Sequence, residues 1–258
     1  MNDALFVTTG IALRRISYGD NDLILTLFCK DQGKMAVIAK SAKKSRKRFA
    51  GVLELFSELD VTCRRSRRGG MPVLQEASLK QPFANIRGDV CRTAYASYWA
   101  ELVNAWLEDH DGQADVYALL AFTLSLLDEG RRDPSELSIL FQMRFLALAG
   151  MSPGIDACHR CRMDLDRLQE RPMGFNLALG CVVCDQCRER AEHHLPVSQG
   201  TLKLLRWIRS GELETAARIR CHADARSQGL ALLEAFVPYH LGKELKSLGF
   251  LHQIRGTG

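Results

Sequence analysis

The chain has 258 residues, of which 47% are hydrophobic and 25% charged, as is ordinary for a globular protein of one large domain or two. No apolar run reaches the ~18 residues that a membrane span requires, so we expect a soluble, cytoplasmic protein without a membrane partner. The net charge of +5 is uneven: residues 1–80 hold 15 Lys/Arg and 8 Asp/Glu, and the rest hold 20 and 22. This asymmetry indicates an anionic polymer as partner, most often a nucleic acid.

The first 80 residues have the pattern of strands and turns. Short runs rich in β-branched and apolar residues predict strands at 5–13, 23–28, 35–39, 53–62 and 73–79. The segment Asp31-Gln-Gly33-Lys34 predicts a hairpin turn between the second and third strands. Five short strands predict a small closed barrel, and the OB-fold is the common five-stranded form among nucleic-acid binders. We therefore predict an OB-fold nucleic-acid-binding domain over residues 1–80.

From residue 82 the hydrophobic period becomes that of helices. It predicts helices near 90–106 and 116–127, and a third that begins at the cap Asp133, with Pro134 next, and stops at Gly150. Further helices are predicted over 198–208, 213–219 and 230–248, the last kinked at Pro238. The predicted fold class is α+β and multi-domain: the barrel is followed by a helical domain over 81–258, with a zinc-binding insertion at about 154–195.

Five of the nine cysteines fall within one 30-residue window. The window contains Cys158-His-Arg-Cys161 and Cys181-Val-Val-Cys184-Asp-Gln-Cys187, and two facing Cys-x-x-Cys knuckles close a tetrahedral zinc site. The spacing leaves Cys181/Cys184 and Cys184/Cys187 as alternatives for the second pair, and His159, His193 and His194 lie nearby. We favour Cys184/Cys187, because the residues from Gly180 to Val183 resemble a strand that enters the knuckle.

The predicted site is therefore one structural zinc ion on Cys158, Cys161, Cys184 and Cys187. Four thiolates leave no open position for water, which favours a role in folding over one in catalysis. The alternative is a set of unliganded core thiols or a redox pair. An odd cysteine count and the lack of an apolar N-terminal signal segment argue against a disulfide framework.

Two basic segments join predicted strands. The first, residues 40–48, has six basic residues in nine, and the second, residues 64–68, has four in five. Exposed Lys and Arg neutralise phosphates, and two such loops on one barrel can form a groove that follows a single strand. The alternative is a solvated surface without a ligand. Phe49 directly follows the first run, so we predict that it is exposed and stacks on bases, whereas Tyr18 and the other barrel aromatics are predicted to be core residues.

Nothing in the sequence predicts catalysis. Asp20 and Asp22 flank Asn21 in a sequence typical of a turn, where a capping role is favoured over metal binding. There is no phosphate-binding Gly-x-x-x-x-Gly-Lys-Ser/Thr loop and no Gly-x-Ser-x-Gly elbow. We therefore predict a protein that is not an enzyme. The alternatives are an RNA-binding factor, because OB barrels and zinc knuckles also serve RNA, and a metal-dependent nuclease, for which a carboxylate cluster is missing.

Several stretches together resemble one family nearly end to end. They are Tyr18-Gly19-Asp20-x-Asp22-x-Ile24-x-Thr26-Leu27-Phe28, Gly33-Lys34, Ala39-Lys40-Ser41-Ala42-Lys43-Lys44, Arg48-Phe49, Leu148-Ala-Gly150-Met-Ser-Pro153, Phe175…Gly180 and Leu245-Lys246-Ser247…Phe250-Leu251. In this order and spacing they resemble RecO, the family of bacterial recombination mediators. The chain departs from the family at Ser41 and Cys181, where the family more often has glycine.

The resemblance implies a protein that binds single- and double-stranded DNA without sequence preference and anneals complementary strands. With RecR, and in some settings RecF, it helps to load the RecA recombinase onto DNA covered by single-strand-binding protein (SSB), and it docks on the acidic tail of SSB. It implies a cytoplasmic protein associated with the nucleoid, in which zinc supports folding. The predicted DNA-binding residues are Lys34, Lys40, Lys43, Lys44, Arg46, Lys47, Arg48, Phe49, Arg64, Arg65, Arg67 and Arg68.

Overall fold

The computed structural model describes residues 4–256 except 46, 50, 67–68, 111, 168–172 and 190–192. Its strands are β1 (Leu5–Tyr18), β2 (Asp22–Cys29), β3 (Gly33–Ala39), β4 (Glu58–Arg64), β5 (Val73–Gln81), β6 (Met173–Asn176), β7 (Cys181–Cys184) and β8 (Leu195–Val197). Its helices are α1 (Ala84–Arg87), α2 (Val90–Trp106), α3 (Ala114–Glu129), α4 (Pro134–Leu148), α5 (Gln199–Ser210), α6 (Leu213–Ala216), α7 (Ala223–Leu241) and α8 (Lys246–Gly256).

The described residues form two compact units. Unit 1 takes its residues from Met1–Arg131 and from Lys246–Gly258, and unit 2 is drawn from Arg132–Leu245. No helix of the described part is both long and apolar enough to cross a bilayer. The predicted domain boundary at residue 80 stays a prediction, because the division into units follows spatial proximity and places α1 to α3 with the barrel.

Strands β1 to β5 close a barrel in the order β1-β2-β3-β5-β4. Neighbouring strands are antiparallel except for β3 and β5, which are parallel and pair at Ile38 and Val73. The five-stranded OB barrel predicted from the sequence is therefore confirmed. The fourth strand begins at Glu58 and not at residue 53, because Phe56 adopts a left-handed conformation with φ of 70° and residues before Glu58 turn back toward Ala12, whose carbonyl accepts from the Phe56 amide at 2.8 Å.

A β-bulge in β1 changes which side chains face the barrel interior. The register with β2 shifts between Ala12 and Arg14, and beyond the shift Arg15 pairs with Leu25. Directly paired residues point to the same side of a sheet, and Leu25 is a fully buried member of the barrel core. One extra residue therefore directs Arg15 toward the inside, at the end of the barrel where the core stops.

Helices α2 and α3 cover part of the outer surface of the barrel. The Phe28 ring, on the outer side of β2, lies 5.7 Å from the ring of Tyr117 in α3. The Tyr117 hydroxyl donates to Glu58 Oε1 at 2.7 Å, and Lys80 Nζ donates to the same oxygen at 3.1 Å. Burial, reinforced by the hydrogen bond to Glu58, raises the pKa of Tyr117, so the phenol remains a donor and satisfies a buried carboxylate.

Helix α8 packs on α2 although more than a hundred residues separate them in the chain. Leu248 and Leu251 of α8 are buried. The carboxylate of Glu101 in α2 accepts from the backbone amide of Ser247 at 2.8 Å and so caps the free amides at the start of α8. At the other end, the Arg255 guanidinium lies 5.7 Å from the centre of the Tyr95 ring. The last described helix is therefore an integral part of unit 1.

Unit 2 combines helices with a three-stranded sheet of order β7-β6-β8. Helix α4 begins where the sequence predicts, because Asp133 accepts from the Ser135 amide at 2.8 Å. The single helix predicted over 230–248 is wrong: α7 ends at Leu241 and α8 starts at Lys246. The cause is Gly242, which has φ of 65° in the left-handed region that terminates helices. Pro238 lies within α7.

Candidate metal centre and nucleic-acid interface

The four predicted ligand cysteines lie together in unit 2. The Sγ atoms of Cys158, Cys161, Cys184 and Cys187 all fall within 4.8 Å of one another, and the Cys161 and Cys184 sulfurs are 3.9 Å apart. Four thiolates at about 2.3 Å from a tetrahedral zinc lie about 3.8 Å from each other. The geometry of this cluster therefore fits a zinc ion of the predicted kind, and the choice of Cys184/Cys187 as the second pair agrees with it.

Short backbone elements place these sulfurs. Cys184 ends β7 and Cys187 ends the 3-10 turn that follows it. The first knuckle turns tightly, since Arg162 has φ of 60° and its amide donates to the Cys158 carbonyl at 2.9 Å. The His159 amide donates to the Val182 carbonyl at 2.9 Å and joins this knuckle to β7. Two turns docked on one strand thus aim the sulfurs at a common point.

The electrostatics of the cluster suit a cation. Burial opposes the ionisation of Cys158, but the backbone amides of Cys184, Cys161 and Arg160 lower its pKa to about 6. A hydrogen bond with the neighbouring Cys184 side chain, reinforced by burial, raises the pKa of Cys187 to about 12 and so favours its neutral thiol. A dication removes this conflict, since it stabilises all four thiolates at once.

A row of basic residues on α5 faces the segment that carries the first knuckle. Arg209 contacts Asp156 at 2.7 Å, and Arg206 contacts Asp156 and Asp166 at 3.4 Å each. Lys203 contacts Asp166 at 3.6 Å. These basic side chains are paired with carboxylates of the same unit, so we do not assign α5 to a DNA-binding surface.

The first basic loop is anchored to the β1–β2 turn of the barrel. The Asp22 carboxylate accepts from the Ser41 amide at 2.7 Å, and the Asn21 carbonyl accepts from the Lys43 amide at 3.0 Å. Asp22 therefore serves as a backbone cap, as the sequence favoured, although the loop that it caps is distant in sequence. These two hydrogen bonds fix the backbone at the start of the basic loop, and so fix the positions from which its basic side chains extend.

The basic side chains of this loop point to solvent. Lys40, Lys43, Lys44, Lys47 and Arg48 are all exposed. Two of these side chains hydrogen-bond to described residues: Lys43 Nζ is 3.3 Å from the Gly19 carbonyl, and the Arg48 guanidinium is 3.3 Å from the Lys40 carbonyl. Both contacts are to neutral carbonyls, so the positive charge of the loop is not neutralised by them.

The second basic loop lies next to the first. The Ile38 amide, just before the first loop, donates to the Pro72 carbonyl at the end of the second at 2.9 Å. Arg65 is exposed, and its guanidinium lies 5.2 Å from the Phe6 ring centre, while Arg64 is half-buried at the end of β4. Arg46 of the first loop and Arg67 and Arg68 of the second lie outside the described residues.

Lys34 is engaged inside unit 1. Its ammonium donates to the carbonyls of Leu107 at 2.6 Å and Asn104 at 2.8 Å, and it lies 3.3 Å from the Asp109 carboxylate. Asn104 lies in the last turn of α2 and Leu107 caps its C-terminal end, where a positive charge is stabilised by the helix dipole. All three donors of Lys34 thus have acceptors in the protein, so we leave it out of the DNA-binding surface that we propose below.

We expect Lys34→Met to destabilise the protein by about 1–3 kcal/mol, because buried carbonyls at the end of α2 lose their donor. The affinity for DNA should stay within about twofold of the wild type. Urea denaturation and a binding titration on the same preparation measure the two effects. A large loss of DNA affinity in a variant that still folds would return Lys34 to the DNA-binding set.

The predicted exposure of Phe49 is wrong. Its ring is 4% exposed and packs in the barrel core with Leu53 and Val61, while the Arg48 guanidinium covers it at 4.9 Å from the ring centre. The ring fills the end of the barrel, because burial of an aromatic side chain stabilises the fold relative to its exposure to water. Stacking on a base across the outer surface would require the ring to leave this core.

Comparison with known proteins matches nearly all of the chain to one family. The family model described as "Recombination protein O N terminal" matches residues 1–83, and "Recombination protein O C terminal" matches residues 87–249. The chain belongs to the RecO family. Relatives named DNA repair protein RecO include those of Desulfosudis oleivorans, 44% identical over 97% of this chain and 98% of the relative, and Desulfatibacillum aliphaticivorans, 43% identical over 96% of each. That of Syntrophus aciditrophicus is 37% identical over 97% of this chain and 96% of the relative.

The two positions at which we expected a departure from the RecO pattern, Ser41 and Cys181, have clear structural settings. Ser41 has φ of 55°, a conformation that glycine adopts without strain, and the hydrogen bond from its amide to Asp22 holds it there. Cys181 is half-buried and approaches Gly154 so closely that a Cβ at position 154 would meet the Cys181 sulfur at 2.5 Å. The Cys181 sulfur packs against Gly154 and is not among the four sulfurs that lie together in the cluster.

The sequence interpretation of this RecO-family chain missed Tyr18 as a candidate functional residue. It assigned Tyr18 to the core, but the side chain is 55% exposed at the end of β1, beside the turn that contacts Lys43. Arg14 and Arg15, also in β1, are exposed as well. The turn sequence at Asp20-Asn21-Asp22 was the available signal, because a short hairpin there pairs Tyr18 with Asp22, as the structure shows, and directly paired side chains lie on the same side of a sheet.

Proposed function

We propose that this RecO-family chain is a DNA repair and recombination mediator without enzymatic activity, which binds single- and double-stranded DNA through the barrel. The observation that carries the proposal is the anchored basic loop, in which five cations are exposed among the described residues of 40–48, beside a second basic loop. Such a surface neutralises phosphates and releases condensed counterions, and this electrostatic part of the affinity does not depend on base sequence.

The same surface supports strand annealing. Two complementary strands repel each other as polyanions, and a dense set of exposed cations screens this repulsion while both strands are bound. The exposed Tyr18 ring adds a flat surface on which an unpaired base can stack. Annealing by this route needs no nucleotide hydrolysis and no catalytic residue.

The partners and the setting that we propose follow from membership of the family. With RecR, and in some settings RecF, the protein would help to load RecA onto single-stranded DNA covered by SSB, and it would dock on the SSB tail. We propose that it works in the cytoplasm, associated with the nucleoid. No residue of this chain is assigned to the protein contacts.

We further propose that Cys158, Cys161, Cys184 and Cys187 hold one zinc ion with a structural role. Zinc in a closed site of four thiolates stabilises a fold and activates no water. The chain's own contribution is a pair of turns docked on β7, with backbone amides that favour the thiolate form of Cys158.

Annealing of SSB-coated strands tests the mediator proposal. Two complementary oligonucleotides, each coated with SSB from the same source, are mixed with and without the protein, in the absence of nucleotide. We expect faster duplex formation, measured by fluorescence energy transfer between end labels, and a decline of the effect with rising salt.

The controls separate the alternatives. Binding to bare DNA without any acceleration of annealing would contradict the mediator proposal. Tighter binding to RNA than to DNA of the same sequence at equal salt would favour an RNA-binding factor. Shortening of the labelled strands in the presence of Mg²⁺ would indicate a nuclease.

A further inference from the structure

A cavity of about 560 Å³ opens at the end of the barrel that carries the first basic loop. Its volume lies within the range of small-molecule sites, which are frequent at the mouths of β-barrels. Part of the lining is apolar and comes from Leu23, Phe49 and Leu53. Phe49 and Leu53 are 4% and 3% exposed, so they form the packed floor of the cavity, while the partly buried Leu23 leaves more apolar area open to a ligand.

Charged groups lie on one wall of the cavity. Arg15, which the β-bulge directs inward, lies with its Nη1 atom 2.9 Å from Glu54 Oε1 and also donates to the Leu53 carbonyl at 3.2 Å. The side chains of Arg15 and Glu54 are 37% and 36% exposed, so a ligand can reach both. A carboxylate has about four acceptor positions, and the contact with Arg15 leaves some of them available.

Lys43 lies at the cavity and belongs to the basic loop. Its ammonium has three donors, and the contact with the Gly19 carbonyl occupies one of them. The cavity therefore combines an apolar surface, an acceptor beside a guanidinium donor, and a cation. A nucleotide unit of a DNA strand has the matching groups: a flat ring, a polar pairing edge and a phosphate.

We propose that this cavity binds one unstacked base of single-stranded DNA that bears an exocyclic amino group, with its pairing edge toward Glu54 and its phosphate at Lys43. This inference rests on the proposed DNA-binding function and adds a base-binding site to it. The carboxylate accepts from the amino group of cytosine, adenine or guanine, whereas thymine has no such donor.

Such a site distinguishes single strands from duplexes. A base whose pairing edge lies in the cavity cannot pair with a complementary strand, and a duplex contacts the barrel through its phosphates alone. An unpaired strand therefore gains a contact that a duplex lacks. The cavity would hold a strand in an open form until its complement competes for the base.

Base preference in direct binding tests the proposal. The full-length protein is titrated with labelled oligo-dC and oligo-dT of about 12 nucleotides, at mildly alkaline pH where cytosine stays unprotonated. We expect tighter binding of oligo-dC by about fivefold or more. The isosteric Glu54→Gln should reduce this ratio below about twofold while binding of oligo-dT is retained.

Two further variants complete the design. Ser17 lines the cavity, so the phenyl ring of Ser17→Phe should occupy the space of the base and also abolish the preference for oligo-dC. Glu76→Gln, an exposed position on β5 of the same barrel, is the matched control and should preserve it. If Glu54→Gln fails to fold, as judged by a thermal melt, Ser17→Phe decides.

The outcomes separate this inference from the proposed function. Equal binding of the two oligonucleotides by the wild type, or a preference that survives both cavity variants, overturns the base-binding site and leaves salt-sensitive DNA binding in place. Failure of the wild type to bind either oligonucleotide overturns the proposed function itself.

Discussion

Charge reversal in the first basic loop is expected to weaken binding to single-stranded DNA by roughly 100-fold at moderate salt. The change is Lys40→Glu, Lys43→Glu, Lys44→Glu and Lys47→Glu, at four exposed positions. Each lost phosphate contact lowers the slope of log affinity against log salt by about 0.7, so the slope should fall by about 3. Fluorescence anisotropy across a series of salt concentrations measures both quantities.

A variant with the same change in net charge is the control. Lys30, Arg131, Arg218 and Lys243 are exposed cations outside both basic loops, and their replacement by glutamate alters the overall charge equally. We expect this control to lose less than about fivefold in affinity, because only long-range attraction is reduced. Equal losses in the two variants would show that net charge, and not the loop, determines binding.

Loss of one cluster cysteine should be the most destabilising substitution in unit 2. We expect Cys158→Ser to remove the bound zinc and to cost at least about 3 kcal/mol, since structural zinc sites contribute roughly 10–16 kcal/mol of binding free energy in small domains. The melting temperature should fall by roughly 10 °C. Zinc is measured by mass spectrometry of the purified protein, and stability by thermal melts with and without a chelator.

Cys181→Ser is the matched control, because it removes a thiol from the same window that does not belong to the cluster. It should keep about one zinc ion per chain and melt within a few degrees of the wild type. Wild-type protein that contains no zinc after purification without chelator, and whose melting temperature a chelator does not change, would contradict the metal proposal.

The sequence was sufficient for the parts of the fold that depend on local patterns. The five barrel strands, the start of α4 and the strand that enters the second knuckle follow from alternation, capping and flanking residues. The break between α7 and α8 was missed, since a glycine within an apolar period does not reveal whether its φ is positive. The start of the fourth strand was misplaced because the turn before it depends on a contact with Ala12, 44 residues away.

In the candidate sites, too, features set by local sequence were predicted and features set by tertiary contacts were missed. Cysteine spacing indicated the cluster, since short knuckles constrain the ligands locally. Exposure within the barrel was harder to predict: Lys34 and Phe49 lie in basic or family-like stretches, but their tertiary partners hold them inside. Tyr18 and Arg15 were overlooked because regular alternation along β1 places Tyr18 inside the barrel and Arg15 outside, the reverse of what the structure shows. A bulge reverses the alternation of β1, and no residue in that segment marks the bulge in the sequence.

The packing of α8 against α2 has a consequence for synthesis on the ribosome. Unit 1 is made of segments from both sides of unit 2 in the chain, and α8 leaves the ribosome after all of unit 2. A chain grows at about 5–20 residues per second, so the face of α2 that binds α8 waits uncovered for several seconds while residues 132–245 are added. The barrel precedes unit 2 in the sequence, yet the unit to which the barrel belongs is completed only after unit 2.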